Sequence, residues 1–154
     1  MSLSNNTEII LKLQRFCVYQ TRCKEDVRQK MIRLNVKEHL HDNIIEQLQE
    51  NGFIDEADYL TQFTNGKFHF KKWGKQKIKA HLISKKIASE KIEHCLSLIV
   101  TDEYIKTISY LIEKKIKELK VQTLTNKRVK VSRYLIQKGF APIDFLPILD
   151  SRLE

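Results

Sequence analysis

The sequence predicts an all-α chain built as three tandem three-helix repeats, and three observations carry that expectation. Its 154 residues include only four glycines and two prolines. Strand-type alternation is absent, while Lys, Leu, Ile, Glu and Gln dominate, which are mostly helix-compatible residues. Laid over one another, the middle helices align Val27, Met31 and Val36 with Ile78, Leu82 and Ile87, and then with Val131, Leu135 and Phe140. Each set has spacings of four and five, and the sets are offset by 51 and 53 residues. Units of that size bury their apolar faces partly against a neighbour. The repeats are expected at 1–52, 53–100 and 101–154.

In repeat one, Ile9, Leu13, Phe16 and Cys17 fall at helical spacing as far as Tyr19. A second helix is expected over Lys24 to Leu34 with Val27 and Met31 inward. A third follows from Glu38 to Asn51 with Leu40, Ile44, Ile45 and Leu48 inward, closed by Asn51 and Gly52. Asp55 then reads as an N-cap three residues before Asp58, and both carboxylates suit the positive end of a helix dipole. That explains the Asp55, Glu56, Asp58 cluster better than a metal or acid-base site does. The helix runs through Tyr59, Leu60 and Phe63, with its end blurred by Asn65 and Gly66. The next spans about Lys75 to Ile87 with Ile78, Leu82 and Ile83 inward, and another carries Ile92, Cys95, Leu96 and Ile99.

Repeat three opens with the most strongly periodic segment, headed by Asp102 and Glu103. Tyr104, Ile105, Ile108, Leu111, Ile112, Ile116 and Leu119 are expected inward. Residues 121 to 126 read as a linker, Lys127 to Lys138 as a helix closed by Gly139, and Ala141 to Leu153 as the last element.

Charge directs attention to residues 59–89, which hold eight lysines and no Asp or Glu. Phe63, Phe68, Phe70 and Trp73 are interleaved with them. The net charge is +9, distributed as +1 over 1–52, +4 over 53–100 and +4 over 101–154. A second acid-free run from Leu119 to Ile143 adds Lys120, Lys127, Arg128, Lys130, Arg133 and Lys138. Equivalent helices of a repeat protein project on the same side, so the two basic middle helices are expected to form one cationic stripe that attracts a polyanion. Candidate contact residues are Lys67, Lys71, Lys72, Trp73, Lys75, Lys79, Lys85, Lys86, Lys127, Arg128, Lys130, Arg133 and Lys138. The bland reading of the run is a solvated helix face. Trp73 is weighed between base stacking and junction packing, with packing favoured by its place before Gly74. Lys114 and Lys115 read as solvated.

The segments CVYQTRCKEDVRQKMIRLNV at 17–36, LQENGFIDEADYL at 48–60, KFHFKKWGKQKIKAHLISKKI at 67–87 and SRYLIQKGF at 132–140 together resemble the RecX family of RecA regulators. That family's glycine, two apolar, Asp, acidic junction is matched by Gly52, Phe53, Ile54, Asp55 and Glu56. Its Lys-X-Gly-X-X-Lys-Ile helix start is matched by Lys72, Gly74, Lys77 and Ile78. The resemblance covers the chain after about Thr7. Cys23 and Asp26 depart from the usual hydroxyl cap and Glu, which predicts a weaker cap, and Asn35 replaces a frequent glycine. The resemblance implies a curved, elongated or crescent-like array that binds the RecA filament, often along its groove. It also implies limits on strand exchange, ATP hydrolysis and co-protease activity. RecA and its nucleoprotein filament, and single- or double-stranded DNA directly, are the partners to expect, with a monomer as the working unit.

No catalytic constellation is expected. His39 and His41 diverge on a helix, and His69, His81 and His94 lack acidic or Cys partners at metal-ligand spacing. Cys17, Cys23 and Cys95 have neither CxxC spacing nor a disulfide framework, which suits a reducing cytoplasm. MSLSNNTEII lacks the order of a signal peptide, and no apolar run reaches the ~18 residues that span a bilayer. No cofactor, metal or membrane contact is expected. Two rivals stay open: a helix-turn-helix-like DNA-binding protein acting without RecA, and an enzyme with a polar pocket. Reversing Lys75, Lys79 and Lys86 to Glu is the test of surface that the sequence suggests.

Overall fold

In a computed structural model, residues 3–154 are described; the reading of the first residues as no signal sequence falls partly outside them. Among the described residues there are nine α-helices and no strand. They are α1 (Leu3–Tyr19), α2 (Lys24–Arg33), α3 (His41–Glu50), α4 (Glu56–His69), α5 (Lys75–Ser84), α6 (Ser89–Ser97), α7 (Thr101–Glu118), α8 (Leu124–Lys138) and α9 (Pro142–Leu153), with a 3-10 turn at Glu38–Leu40 before α3. Two compact units divide at Phe63 and Thr64, inside α4. The three-repeat boundaries drawn from periodicity are carried forward as a proposal.

The spacings of four and five have a physical origin in how the middle helices end. Val36, Ile87 and Phe140 donate their backbone N–H to the carbonyls of Met31, Leu82 and Leu135, at 3.0, 3.3 and 3.0 Å. One residue earlier, Asn35, Lys86 and Gly139 donate to Ile32, Ile83 and Ile136. Those two bonds define a Schellman motif, which brings the residue after the turn back onto the last inward residue of the helix. The turn residue must be left-handed, and Asn35, Lys86 and Gly139 have φ of 59°, 60° and 100°. All nine residues of the three sets are 8% exposed or less. Lys86 bears a side chain where a left-handed conformation costs about 1–2 kcal/mol. Lys86→Gly is therefore expected to raise stability by roughly 0.5–1 kcal/mol in urea melts, after the entropy cost of glycine. Lys86→Ala should give no such gain.

Within the unit ending at Phe63, Leu13 and Cys17 of α1 pack with Val27 and Met31 of α2 and with Ile44, Ile45 and Leu48 of α3. The Cys23 N–H donates to Asp26 Oδ2 at 3.1 Å, so the side-chain-to-backbone half of the box survives the unusual cap residue. Asp55 caps α4 as expected, accepting from the Asp58 N–H at 3.1 Å, and Gly52 is left-handed with φ of 78°.

From Thr64 on, α5 packs on α6, and α7, α8 and α9 pack on one another. Tyr104 of α7 links the two groups: its ring lies 5.7 Å from Phe68 and 5.2 Å from Phe140. Its hydroxyl accepts from the Lys75 N–H at 2.9 Å. Burial pushes the phenol up to about 12, against the Lys75 N–H, which favours the phenolate.

Several details differ from the sequence expectation, and the first is that the helix expected from Glu38 opens as a 3-10 turn to Leu40, with α3 starting at His41. α4 does not end near Asn65 and Gly66 but runs to His69, because Thr64 and Phe68 on either side of the breakers are both 2% exposed. α8 begins before Lys127, since the Thr123 hydroxyl accepts from the Asn126 N–H and starts a helix inside the expected linker. α1 starts earlier than Ile9. Ile83 and Ile105 are 55% and 44% exposed, having neighbours Leu82 and Tyr104 that take the inward positions.

Candidate functional site

Two glycines join the basic middle helices. The Gly74 N–H donates to the Lys138 carbonyl at 2.8 Å and the Gln76 N–H to the Gly139 carbonyl at 2.9 Å. The amino end of α5 thus satisfies the orphan carbonyls at the carboxyl end of α8, and the two helix dipoles meet positive to negative. Contact this close excludes a side chain: a Cβ on Gly74 would stand 2.3 Å from the Gly139 oxygen, and one on Gly139 2.4 Å from Lys77 Cβ. With the Lys75 N–H held by Tyr104, the Gly74, Lys75 and Gln76 donors at the start of α5 are used internally.

Lysine side chains gather around Lys138. Its Nζ donates to the Lys71 carbonyl at 2.7 Å. Burial pulls the ammonium below the ordinary lysine value, and the charges of Lys77, Lys114, Lys72 and Lys71 pull it further. None of these five lysines has an ion-pair partner among the described residues. Lys72 is left-handed, with φ of 55°, and its Nζ lies 5.2 Å from the Tyr110 ring. Five like charges held together without a counter-charge are an energetic cost that a bound polyanion relieves. Beside them Phe70 is 86% exposed, unlike the other aromatics of the run.

The remaining candidates are placed less uniformly. Trp73 is half-buried and packs at the junction, with Lys67 Nζ 4.8 Å and Lys77 Nζ 4.5 Å from its ring and His81 at 5.7 Å. Its faces are occupied rather than offered to a base. Lys75 Nζ rests 5.0 Å from the Tyr104 ring. Lys79 pairs with Glu93 at 2.6 Å, and Arg128 binds Asp150 through two contacts of 2.8 and 3.4 Å. That pairing raises the Arg128 pKa and lowers that of Asp150. Lys85 is half-buried at the end of α5 and Lys86 occupies the left-handed turn. Lys127 is half-buried on α8, while Lys130 and Arg133 are exposed. Lys77 and Lys114 are additions to the candidate set. Lys77 lay in the acid-free run, but nothing local marks Lys114, which only the packing of α7 brings near Lys138.

His41 is 2% exposed, with Nε2 2.9 Å from the Val36 carbonyl. Cys95 is buried with its Sγ 2.9 Å from Thr64 Oγ1. Among the described residues no three His, Cys, Asp or Glu residues come together as metal ligands, and no helix is long and apolar enough to cross a membrane.

Comparison with known proteins agrees with the motifs. Residues 55–96 match the RecX second three-helix domain. The chain is 23% identical over 123 residues to a Regulatory protein RecX of Bacillus cereus, covering 80% of this chain and 46% of the relative. A second, from Leuconostoc mesenteroides, is 28% identical over 117 residues, covering 76% and 44%. The chain thus spans about half the length of these curated relatives. Among solved structures, a regulatory protein RecX superposes with a TM-score of 0.83 at 21% identity, over 94% of this chain and 71% of that one. RecX from Lactobacillus salivarius gives 0.80 at 22% identity, over 96% and 95%. The resemblance to RecX read from the sequence holds in sequence and in fold, and the all-α repeat class holds with it.

Proposed function

We propose that this chain is a non-enzymatic, cytoplasmic regulator that binds the RecA nucleoprotein filament and lowers its recombinase, ATPase and co-protease activities. The observation that carries the reading is the cluster of Lys71, Lys72, Lys77, Lys114 and Lys138, five lysines with no ion-pair partner among the described residues, where the two basic middle helices meet. The RecX likeness supplies the partner class, and the cluster supplies a surface for a filament that is itself polyanionic. Lys67, Lys75, Lys85, Lys86, Lys127, Lys130 and Arg133 extend that surface. Lys79 and Arg128 contribute less, because each already faces a carboxylate.

Salt dependence is the test. Neutralising several phosphates releases counterions, so the affinity for RecA filaments on single-stranded DNA is expected to fall about 10-fold or more between 50 and 200 mM salt. Fluorescence anisotropy of labelled filaments measures it. A curve flat across that range contradicts phosphate contact. Tighter binding to naked duplex than to filaments would favour the reading as a DNA-binding protein that acts without RecA.

A further inference from the structure

The unit ending at Phe63 contains a concavity of about 310 Å³ between α1 and α2, which the net charge of +1 over residues 1–52 gives no reason to expect. Phe16 and Leu34 supply an apolar floor, and Lys12, Arg15, Arg22 and Lys30 supply a cationic lining without an acidic residue among them. Averaging over the segment hides this, because its seven acidic residues nearly cancel its eight basic ones in the sum while none of the seven lines the concavity.

Arg22 is the built part of the groove. Its guanidinium carbon lies 3.7 Å from the Phe16 ring centroid and 6.0 Å from that of Tyr19. Its Nε donates to the Phe16 carbonyl at 3.0 Å, one of the carbonyls that the end of α1 leaves without a helical partner. The guanidinium is thereby held over the ring by one close contact and one hydrogen bond through Nε. Lys30 Nζ lies 5.5 Å from the same ring. Of the cations around the groove, Lys12 meets Glu8 at 3.7 Å in an exposed pair of the weak kind.

We propose that this groove docks a short acidic segment of a partner protein, a carboxylate pairing with the Arg22 fork while a neighbouring apolar side chain lies against Leu34. A guanidinium already held in place loses little freedom when it accepts a carboxylate, and its fork matches that group's geometry. Single-stranded nucleic acid fits less well. A base needs an open aromatic face, and the face of Phe16 is covered by Arg22. The groove lies apart in sequence from the lysine cluster, and the inference does not rest on the RecA reading.

The test is titration of the full chain into a fluorescein-labelled acidic octapeptide containing one Phe and one Leu. Binding is expected to weaken about tenfold with Arg22→Lys, which keeps charge but not the fork, and several-fold with Lys30→Gln or Arg15→Gln. The same octapeptide with Ser in place of Phe and Leu should bind several-fold more weakly, and Lys71→Glu with Lys72→Glu should leave binding unchanged. Arg15 is exposed, so Arg15→Gln reports on the groove even where Arg22→Lys disturbs the end of α1. Equal binding by Arg22→Lys and the unaltered chain overturns the proposal. So does equal binding of the Ser octapeptide, displacement by decathymidylate, loss of binding only in the Lys71 and Lys72 variant, or occupation of the groove by a second copy, seen as a concentration-dependent mass.

Discussion

Gly74→Ala is expected to lower the stability of the unit from Thr64 on by about 3 kcal/mol, a large effect for one methyl group. The new Cβ would stand 2.3 Å from the Gly139 oxygen, 2.4 Å from its carbonyl carbon and 2.6 Å from the Phe140 nitrogen. All three are backbone atoms, so no side chain can swing aside. Relief requires α5 and α8 to separate, which breaks the bonds from Gly74 to Lys138 and from Gln76 to Gly139, at about 1 kcal/mol each or more where the donors stay buried. Trp73 is the sole tryptophan and sits at the junction, so its fluorescence during urea unfolding reads the loss directly. Gly66 provides the control. It lies inside α4 with nothing within 4 Å of an added Cβ, and Gly66→Ala should instead stabilise by roughly 0.5–1 kcal/mol. A Gly74→Ala midpoint equal to that of the unaltered protein would show that the helices can part without cost.

Reversing Lys71, Lys72 and Lys114 to Glu is expected to weaken filament binding on the order of 100-fold, at about 1 kcal/mol for each charge lost or reversed. The slope of log affinity against log salt should fall by about 0.7 for each single-strand phosphate contact removed. This set replaces the one suggested by the sequence. In Lys75, Lys79 and Lys86 the first amine is stacked on Tyr104, the second is committed to Glu93 and the third sits in a left-handed turn. Lys79→Glu would place two carboxylates together on α5 and α6 and confuse folding with binding. In the new set Lys71 and Lys114 are exposed and Lys72 makes only a ring contact, so circular dichroism should show unchanged helix content. Retained affinity at moderate salt would move the contact surface away from this cluster.

The repeat was legible because one structural motif writes itself into the sequence three times. A Schellman turn favours an apolar residue five beyond the last inward position, and that is the step from Met31 to Val36, Leu82 to Ile87 and Leu135 to Phe140. The tolerance of Asn35 for a left-handed conformation was readable too. Less readable was the choice between adjacent apolar residues, such as Leu82 and Ile83, where rotation of the helix by one residue decides which is buried. Breakers such as Asn65 and Gly66 misled because local preference yields to packing at Thr64 and Phe68. The candidate surface was partly legible. An acid-free run marks charge density, yet it says nothing about a carboxylate that arrives from another helix, as Glu93 does for Lys79 and Asp150 for Arg128. Nor does it show that Lys114 joins Lys138. The reverse error concealed the groove around Arg22, whose lining is cationic although charges nearly cancel in a sum over residues 1–52.

Regulation of RecA through its filament is tested most directly by the rate of RecA ATP hydrolysis on single-stranded DNA as this chain is added. The rate is expected to fall and to level off as the chain reaches amounts comparable to RecA, at salt low enough for the lysine cluster to bind. An unchanged rate at several-fold excess over RecA would contradict it.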